Sequence, residues 1–306
     1  MGRSTHPGTG RLLLIYGALS LAAVLLGAVV AANHGVPTGS WVRNILAWAV
    51  GAGLAAAIAG GFRSGALPFI LGLVPAGLLM TLFSAPQEGV HRWVDPGPFH
   101  VNVAMLVLPA ALVAAAGLMV RQTGLVLGVL MLSVGVMVVQ PDASQATTLA
   151  LGGIWIVTLA VQKRWLKVGA SLAFVLMAVL CWFRPDTLLP IAEVEEIIVL
   201  AFGQSPVLAV LILLLLAGIA VAPAALSGAS RSSAPTVWWA GGAVGLCFAG
   251  WAVAPFLGAF PVPFAGIGMS PILGGWLGIG LLAGLARSGP QTQAPVPDGT
   301  RQETAQ

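Results

Sequence analysis

Residues Glu88–Asn102 read EGVHRWVDPGPFHVN and form the longest polar interruption in the first half of a very apolar chain. The stretch combines an Arg-Trp pair, an aspartate, two prolines and two histidines. Loops between membrane helices are usually short, and irregular backbone within the membrane is tolerated only where it is buried in protein or lines a water-filled cavity. A long loop with charged and aromatic side chains is typical of a segment that carries function. We therefore predict that this loop folds back onto the protein.

The composition identifies the class of protein to which the loop belongs. Hydrophobic residues make up 58% of the 306 residues and charged residues only 7%, which excludes a water-soluble globular domain. The 40 glycines suit close helix packing in lipid. A net charge of +4 is spread along the chain, so it indicates membrane topology and not nucleic-acid binding.

Apolar runs of spanning length predict an all-α, polytopic membrane protein with about ten helices. We expect a cytoplasmic tail over residues 1–10, a membrane domain over residues 11–287 and a disordered cytoplasmic tail over residues 288–306. The predicted spans are residues 11–33, 41–61, 65–83, 101–120, 122–139, 145–161, 165–183, 197–221, 237–257 and 263–286.

The distribution of Lys and Arg predicts that both termini are cytoplasmic. With that orientation, the outer face holds only Arg43, Arg92 and Arg184 of the 13 cations. The other ten lie inside, namely Arg3, Arg11, Arg63, Arg121, Lys163, Arg164, Lys167, Arg231, Arg287 and Arg301. Most of the acids fall outside, so chemistry that needs carboxylates must take place there.

Four outer segments contain nearly all the polar side chains. They are Glu88–Asn102, Gln140–Asp142, Arg184–Glu196 and Phe260–Ser270. Because helices alternate in direction, all four lie on the same face, and we expect them to converge on one site.

Three of these segments resemble motifs of the SEDS family, the RodA/FtsW group. GVHRWVDPGPFHVN is similar to its Gly-x-x-Arg-Trp-Ile-x-Leu-Gly-Pro-Phe-x-x-Gln loop, and Val139–Asp142 resembles its Gln-Pro-Asp motif. PVPFAGIGMSPILGGWLGIGLLAGLAR resembles its Leu-Pro-Phe-x-Ser-Tyr-Gly-Gly-Ser-Ser motif and final helix. The matching motif positions are Gly97, Pro98, Phe99, Gln140, Pro141, Pro263, Phe264, Gly268 and Ser270.

The resemblance implies a function as well as a fold. It implies a multi-pass protein of the bacterial inner membrane that polymerises lipid II, the undecaprenyl-pyrophosphate-linked disaccharide-peptide, at the outer face in cell shape or division. It further implies a class B penicillin-binding protein as partner, alongside membrane lipids. No cofactor is implied with certainty, and a divalent cation such as Mg²⁺ is the one candidate.

The family's catalytic aspartate falls in the stretch that here reads LPIAEVEEIIVLAFGQ. Counting back from Gly203 places Glu196 at that position, whereas counting forward from Pro190 places Glu195 there. A carboxylate can remove the proton from the acceptor hydroxyl as its oxygen attacks the anomeric carbon. The alternative is that Glu193, Glu195 and Glu196 have no catalytic role and only stabilise the N-terminus of the next helix, where negative charge is favourable.

Other polar residues of the motifs are candidates for substrate binding. Arg92 can bind pyrophosphate through its guanidinium fork, or instead anchor the loop by an ion pair with Asp95 or Asp142. Trp93 can stack on a sugar or sit at the membrane interface. Asp142 can hold a divalent cation or orient the loop, and we favour the orienting role. Ser270 is assigned to substrate binding with them.

The chain departs from the family in its fourth helix. The family's Gln-Pro-Ser-Glu and following Lys become Asn102–Met105 and Leu108, so both ionisable groups are absent. Intramembrane charges are normally kept for function, and their loss favours a second hypothesis, a non-catalytic SEDS-like scaffold. A third hypothesis, a carrier for lipid-linked substrates, is disfavoured because no charged residue lies near the middle of a predicted span.

Overall fold

A computed structural model of the chain describes residues 7–97, 99–227 and 234–288. In these ranges the chain forms eleven α-helices, one two-stranded hairpin and two short 3-10 turns. The helices are α1 (Pro7–Asn33), α2 (Thr38–Gly61), α3 (Leu67–Thr81), α4 (Val103–Leu118), α5 (Thr123–Val139), α6 (Ala143–Ala160), α7 (Arg164–Trp182), α8 (Ile197–Gln204), α9 (Pro206–Leu226), α10 (Pro235–Val253) and α11 (Met269–Arg287).

Eight helical segments of the described chain have the length and composition of membrane spans, and two further helices are apolar but shorter. The shorter helices are α4 and α5, which bring the number to ten. The predicted all-α, polytopic class is therefore confirmed. Helix α1 starts at Pro7, inside the segment expected to be a tail, and the tail expected after Arg287 lies outside the described residues except for Ser288.

The eighth predicted span, residues 197–221, is wrong in its first third. Ser205 adopts an extended conformation, with φ −165°, and divides the segment into α8 and α9. Pro206 follows at the first position of α9, where its missing N–H costs nothing. Gln204 Nε2 donates to the Val30 carbonyl at 3.0 Å, near the end of α1. Helix α8 is therefore a separate short helix, and of the two only α9 has the length and composition of a membrane span.

The last predicted span, residues 263–286, also begins too early, because residues 263–268 are not helical and α11 starts at Met269. The segment before α11 instead bonds to neighbouring loops. Val262 N–H donates to the Val194 carbonyl at 3.0 Å, and Ile267 N–H donates to the Glu193 carbonyl at 2.9 Å. These bonds satisfy backbone groups that a helix would otherwise satisfy.

Helix α11 is the most buried of the eight segments long enough to span a bilayer, and it packs against α2 and α4 through glycine. A Cβ atom on Gly274 would lie 2.0 Å from the carbonyl oxygen of Met105, so the backbones of α11 and α4 touch directly. On the other side, a Cβ on Gly280 would lie 2.6 Å from Cα of Ala55 in α2. Small residues permit such close approach in lipid, where packing replaces the hydrophobic effect between helices.

Gly274→Ala should destabilise the protein, because the new methyl group overlaps the backbone of α4 and forces the helices apart. The expected cost is about 1–3 kcal/mol, seen as a lower midpoint when monodispersity is followed during heating in detergent. Gly53→Ala is the matched control, because nothing lies within 4 Å of its Cβ position. Equal midpoints for the two variants would contradict the close contact between α4 and α11.

Candidate functional site

The loop between α3 and α4 folds back as a small hairpin. Strand β1 (Trp93–Val94) pairs antiparallel with β2 (Val101–Asn102), with Trp93 opposite Asn102. Gly97 has φ +66° in the turn, a conformation that glycine adopts without strain. The prediction that this loop returns onto the protein is confirmed, although Pro98 lies outside the described residues.

Arg92 is buried under the hairpin and its guanidinium group is committed to other loops. Its Nη2 donates to the Pro141 carbonyl and, at 2.5 Å, to Asp186 Oδ2. Its Nε lies 3.8 Å from Asp142 Oδ2, and its guanidinium carbon lies 5.6 Å from the ring centre of Phe260. The side chain is only 2% exposed, so the geometry supports an anchoring ion pair and leaves no face for pyrophosphate.

Asp142 likewise has a structural setting, as the N-cap of α6. Its Oδ1 accepts from the Gln145 N–H at 3.3 Å and from the Ser144 hydroxyl at 3.1 Å. Burial raises the pKa of the Asp142 carboxyl, and the nearby Arg92 charge opposes that rise. Gln140 is also buried and donates to the Leu78 carbonyl at 2.8 Å. These hydrogen bonds fix the Gln140–Asp142 segment, which in turn binds Arg92.

The four outer segments meet at one end of the bundle, which we call the outer end. Arg92 joins the hairpin to Pro141 and Asp186, and Glu88 Oε2 accepts from the Leu189 N–H at 3.1 Å. The loop after α7 then bonds to the loop before α11 through the backbone contacts of Val194 and Glu193. The predicted convergence of these segments is confirmed.

Between these loops lies a cavity of about 250 Å³, called here the central pocket. It opens among the ends of α2 and α11, the hairpin and the loop after α7. Its polar lining comes from Ser40, Arg43, Asn44, Gln87, Trp93, His100, Asn102, Glu195 and Ser270.

Glu195 is the carboxylate of the central pocket. Its Oε2 accepts from the Ile191 N–H at 2.8 Å, which fixes the side chain within its own turn. Partial burial raises the pKa of the Glu195 carboxyl, although that hydrogen bond lowers it, and Glu193 raises it further. Glu196 is exposed, does not line the pocket and makes no side-chain bond as the N-cap of α8.

Arg43 is the arginine of the central pocket, and sequence reasoning did not assign it a role. It projects from the first turns of α2 and is exposed. Within the described ranges, no carboxylate lies within salt-bridge distance of its guanidinium group. The available signal was its presence among only three outer cations, but no matched motif contains it.

Trp93 and His100 form an aromatic wall of the pocket. Their rings stack at 5.0 Å between centres with an interplanar angle of 18°. His100 Nδ1 also pairs with Asp95, and its Nε2 lies 2.8 Å from Gln87 Nε2. Across the hairpin, the Ser270 hydroxyl accepts from the Asn102 N–H at 2.9 Å. Ser270 therefore lines the pocket while tying α11 to the hairpin.

An apolar groove of about 420 Å³ continues from the central pocket toward the membrane side of the bundle. The two cavities share Arg43, Met269 and Ser270. The rest of the groove is lined by Leu46, Ala47, Val50, Pro96, Phe99, Val101, Leu106 and Leu273. A molecule with a polar head and a hydrocarbon chain fits the two cavities together.

The remaining motif residues support the walls. Phe264 is buried with Pro263 and packs edge-on against Phe248 at 5.9 Å between ring centres. Gly268 lines the pocket, and its N–H donates to Asn44 Oδ1 at 3.1 Å. In the described part of the chain, no group of three or more His, Cys, Asp or Glu side chains is arranged to hold a metal ion.

Removing the charge of Arg92 should destabilise the protein strongly. Arg92→Met leaves Asp142 buried without its cation, and breaking a buried pair in this way costs roughly 3–5 kcal/mol. The double variant Arg92→Met/Asp142→Asn should recover part of the loss, and Arg121→Met at the opposite end is the control. Thermal midpoints in detergent measure all three; an Arg92→Met protein as stable as the control would refute the anchoring role.

Comparison with known proteins gives similarity at the level of structure only. No family model matches the sequence, and no curated protein matches it. The rod shape determining protein RodA of Thermus thermophilus is 19% identical with a TM-score of 0.68, covering 90% of this chain and 97% of that chain. A point mutant of that protein gives the same TM-score at 17% identity, over the same shares of the two chains.

A third solved structure, from a larger complex, extends the likeness. A chain from a peptidoglycan synthase complex, studied for the coordination of polymerization and crosslinking, is 19% identical with a TM-score of 0.63. The match covers 90% of this chain and 98% of that chain. Since the likeness extends over nearly all of both chains, this protein has the RodA fold, and the predicted SEDS-like architecture is confirmed.

Proposed function

We propose that this chain is a SEDS-like peptidoglycan glycosyltransferase that polymerises lipid II at the outer face of the bacterial inner membrane, in cell shape or division. One observation carries the proposal. The central pocket combines a carboxylate of raised pKa, Glu195, with a cation, Arg43, that has no carboxylate partner among the described residues, and it continues into an apolar groove. A lipid-linked sugar diphosphate presents the matching groups. The RodA fold and the likeness to a chain of a peptidoglycan synthase complex support the same role.

In this proposal Glu195 is the general base. Its carboxylate takes the proton from the acceptor sugar hydroxyl while that oxygen bonds to the anomeric carbon of the donor. The bond from the anomeric carbon to the lipid diphosphate breaks, and the diphosphate leaves with the electron pair. The hydrogen bond from Ile191 N–H keeps the carboxylate oriented through this step.

Arg43 supplies the positive charge that the leaving diphosphate requires. A guanidinium group forms charge-assisted, bidentate hydrogen bonds with phosphate, and these strengthen as negative charge develops on the leaving group. Arg43 also lines the groove, so a phosphate bound there has its hydrocarbon chain directed into apolar surroundings. The stacked rings of Trp93 and His100 offer an aromatic face to the sugar.

A divalent cation such as Mg²⁺ remains a prediction. Mg²⁺ keeps several waters and is usually held by one or two carboxylates together with substrate phosphates. The pocket offers one carboxylate, Glu195, which this proposal uses as the base, so an ion there would be held by the diphosphate and water. When bound, the ion would neutralise phosphate charge beside Arg43.

We also propose a class B penicillin-binding protein as partner. The similar chain from a peptidoglycan synthase complex supports an assembly of polymerising and crosslinking enzymes. Helix α9 offers a surface for the partner's single span, with exposed Val207, Val210, Leu211, Leu214 and Val221.

A specific observation favours a second candidate function, a non-catalytic scaffold. Met105 lines the central pocket and Leu108 is fully buried, so α4 brings no ionisable group to the site. A scaffold would keep the fold and bind its partner without turnover.

Substitution of Glu195 separates the two functions. Glu195→Gln should lower polymerisation of fluorescent lipid II by about 10²- to 10⁴-fold, because the pocket loses its base. Glu196→Gln should retain activity, since that side chain lies outside the pocket. Polymer length on gels is measured for the protein alone and with candidate class B partners. Equal polymer from wild type and Glu195→Gln would refute the mechanism, and absence of polymer in every arm with an intact complex would support the scaffold.

The rate of polymerisation should fall as pH decreases, because Glu195 acts in its ionised form. Burial raises the pKa of this carboxyl above its ordinary value of 4.5, so activity should be lost at a higher pH than an exposed glutamate would give. Below that pKa the rate should fall about tenfold per pH unit. Initial rates are measured across the acidic range, with chromatography as a check on folding. A rate that falls only at or below pH 4.5 would contradict the assignment of Glu195 as the base.

A further inference from the structure

The end of the bundle opposite the outer end, called here the inner end, carries a concentrated positive charge. Seven of the ten described Lys and Arg residues lie there, and four of the seven flank the starts of α5 and α7. These four residues, which we call the inner basic patch, are Arg121, Lys163, Arg164 and Lys167. The first three are exposed and Lys167 is half-buried, so all four reach the surface of the protein.

The packing of α5 against α7 brings the four cations together. Both helices run from the inner end to the outer end, and Cys181 Sγ in α7 donates to the Met137 carbonyl in α5 at 3.4 Å. Thr123 lies 14 residues before Met137, and Lys167 lies 14 residues before Cys181. Because an α-helix rises about 1.5 Å per residue, the two helices start at the same level. Packed helices lie about 8–10 Å apart, so the cations at one helix start neighbour those at the other.

No carboxylate of the described chain balances the charge of the inner basic patch. Every Asp and Glu in residues 7–97, 99–227 and 234–288 belongs to one of the outer segments, and neither α5 nor α7 has an acid in its first turn. Four cations held together repel one another, and a bound anion relieves that repulsion. The patch is therefore available to an anion from outside these residues.

The surface beside the patch suits hydrocarbon. Along α7, Trp165, Val168 and Leu172 are exposed, and they share one face because they are three and four residues apart. Trp165 directly follows Arg164, and an indole at the end of a span typically lies where headgroups meet hydrocarbon. An anion bound at the patch can therefore carry acyl chains that follow α7 into the bilayer.

We propose that the inner basic patch binds an anionic phospholipid with two phosphodiester groups, in the membrane leaflet at the inner end. One phosphate lies against Arg121 beside α5 and the other against Lys163 and Arg164 at the start of α7, where the cations donate charge-assisted hydrogen bonds. A basic site between spans suits such a headgroup. A lipid with one phosphate neutralises a smaller share of the four charges and binds more weakly. The inference is independent of the proposed function, because no residue of the outer end takes part in it.

Lipid binding tests the inference directly. The full chain carrying Arg43→Gln, which removes the cation of the central pocket, is titrated with cardiolipin in a neutral detergent, and bound lipid is counted by native mass spectrometry. Cardiolipin should bind at least about fivefold more tightly than phosphatidylglycerol, since each cation engaged by phosphate contributes about fivefold. Adding Arg121→Gln/Arg164→Gln should weaken cardiolipin binding by about 25-fold for the same reason. Equal affinities for the two lipids would overturn the proposal.

Matched variants separate a defined site from a general attraction to positive charge. Arg11→Gln/Arg63→Gln removes two charges from the inner ends of α1 and α2, which pack against α11, and should change the affinity by less than about twofold. Arg121→Lys/Arg164→Lys keeps the charge and should bind cardiolipin more tightly than the patch glutamine variant. Equal losses in the two glutamine variants would overturn the proposal. Elution of each variant as a single species on size-exclusion chromatography establishes that it is folded.

A soluble anion offers the same charge without hydrocarbon, and a competition arm separates these sources. Excess inorganic pyrophosphate or poly-glutamate is added to the cardiolipin complex. Cardiolipin should stay bound, because its acyl chains remain against the apolar face of α7. Complete displacement by pyrophosphate would identify a site for soluble phosphates, and displacement by poly-glutamate would identify a site for an acidic protein segment. Either result would overturn the proposal.

Discussion

The buried charge of Arg92 is the interaction on which the outer end of this protein depends. A guanidinium group removed from water is tolerated only when acceptors surround it. Here the acceptors come from two other loops: the Pro141 carbonyl and Asp142 from one, and Asp186 from the other. The need to satisfy one cation therefore brings together segments that are 49 and 94 residues from it in sequence.

Of the segments that meet at Arg92, the hairpin and the loop after α7 line the central pocket. Asp186 begins the loop that ends at Glu195, and Glu88 and the backbone near Ile267 fix that loop at two further points. From the other side, Asn44 of α2 donates to the Gly266 carbonyl at 2.8 Å. The carboxylate and the cation of the pocket thus lie on elements that are each bonded to a neighbour. Such support is what a catalytic constellation requires to keep its geometry.

Much of the fold was predictable, because apolar runs of spanning length have few alternatives in lipid. The division at Ser205 was missed although Pro206 signals a helix start, because the apolar run continues through it. Local sequence could not show that Arg43, and not Arg92, lines the central pocket. Which arginine is buried depends on Asp186, and a sequence motif does not show so distant a partner. The same holds for Glu195 and Glu196, whose exposures differ because one faces the hairpin across the pocket.

The position of Leu188 gives the outer end a property that neither cavity has alone. This side chain lines the central pocket and also a second cavity of about 210 Å³, which Arg184 and Phe260 line as well. A displacement of this side chain toward one cavity enlarges the other, so one leucine makes the volumes of the two cavities interdependent.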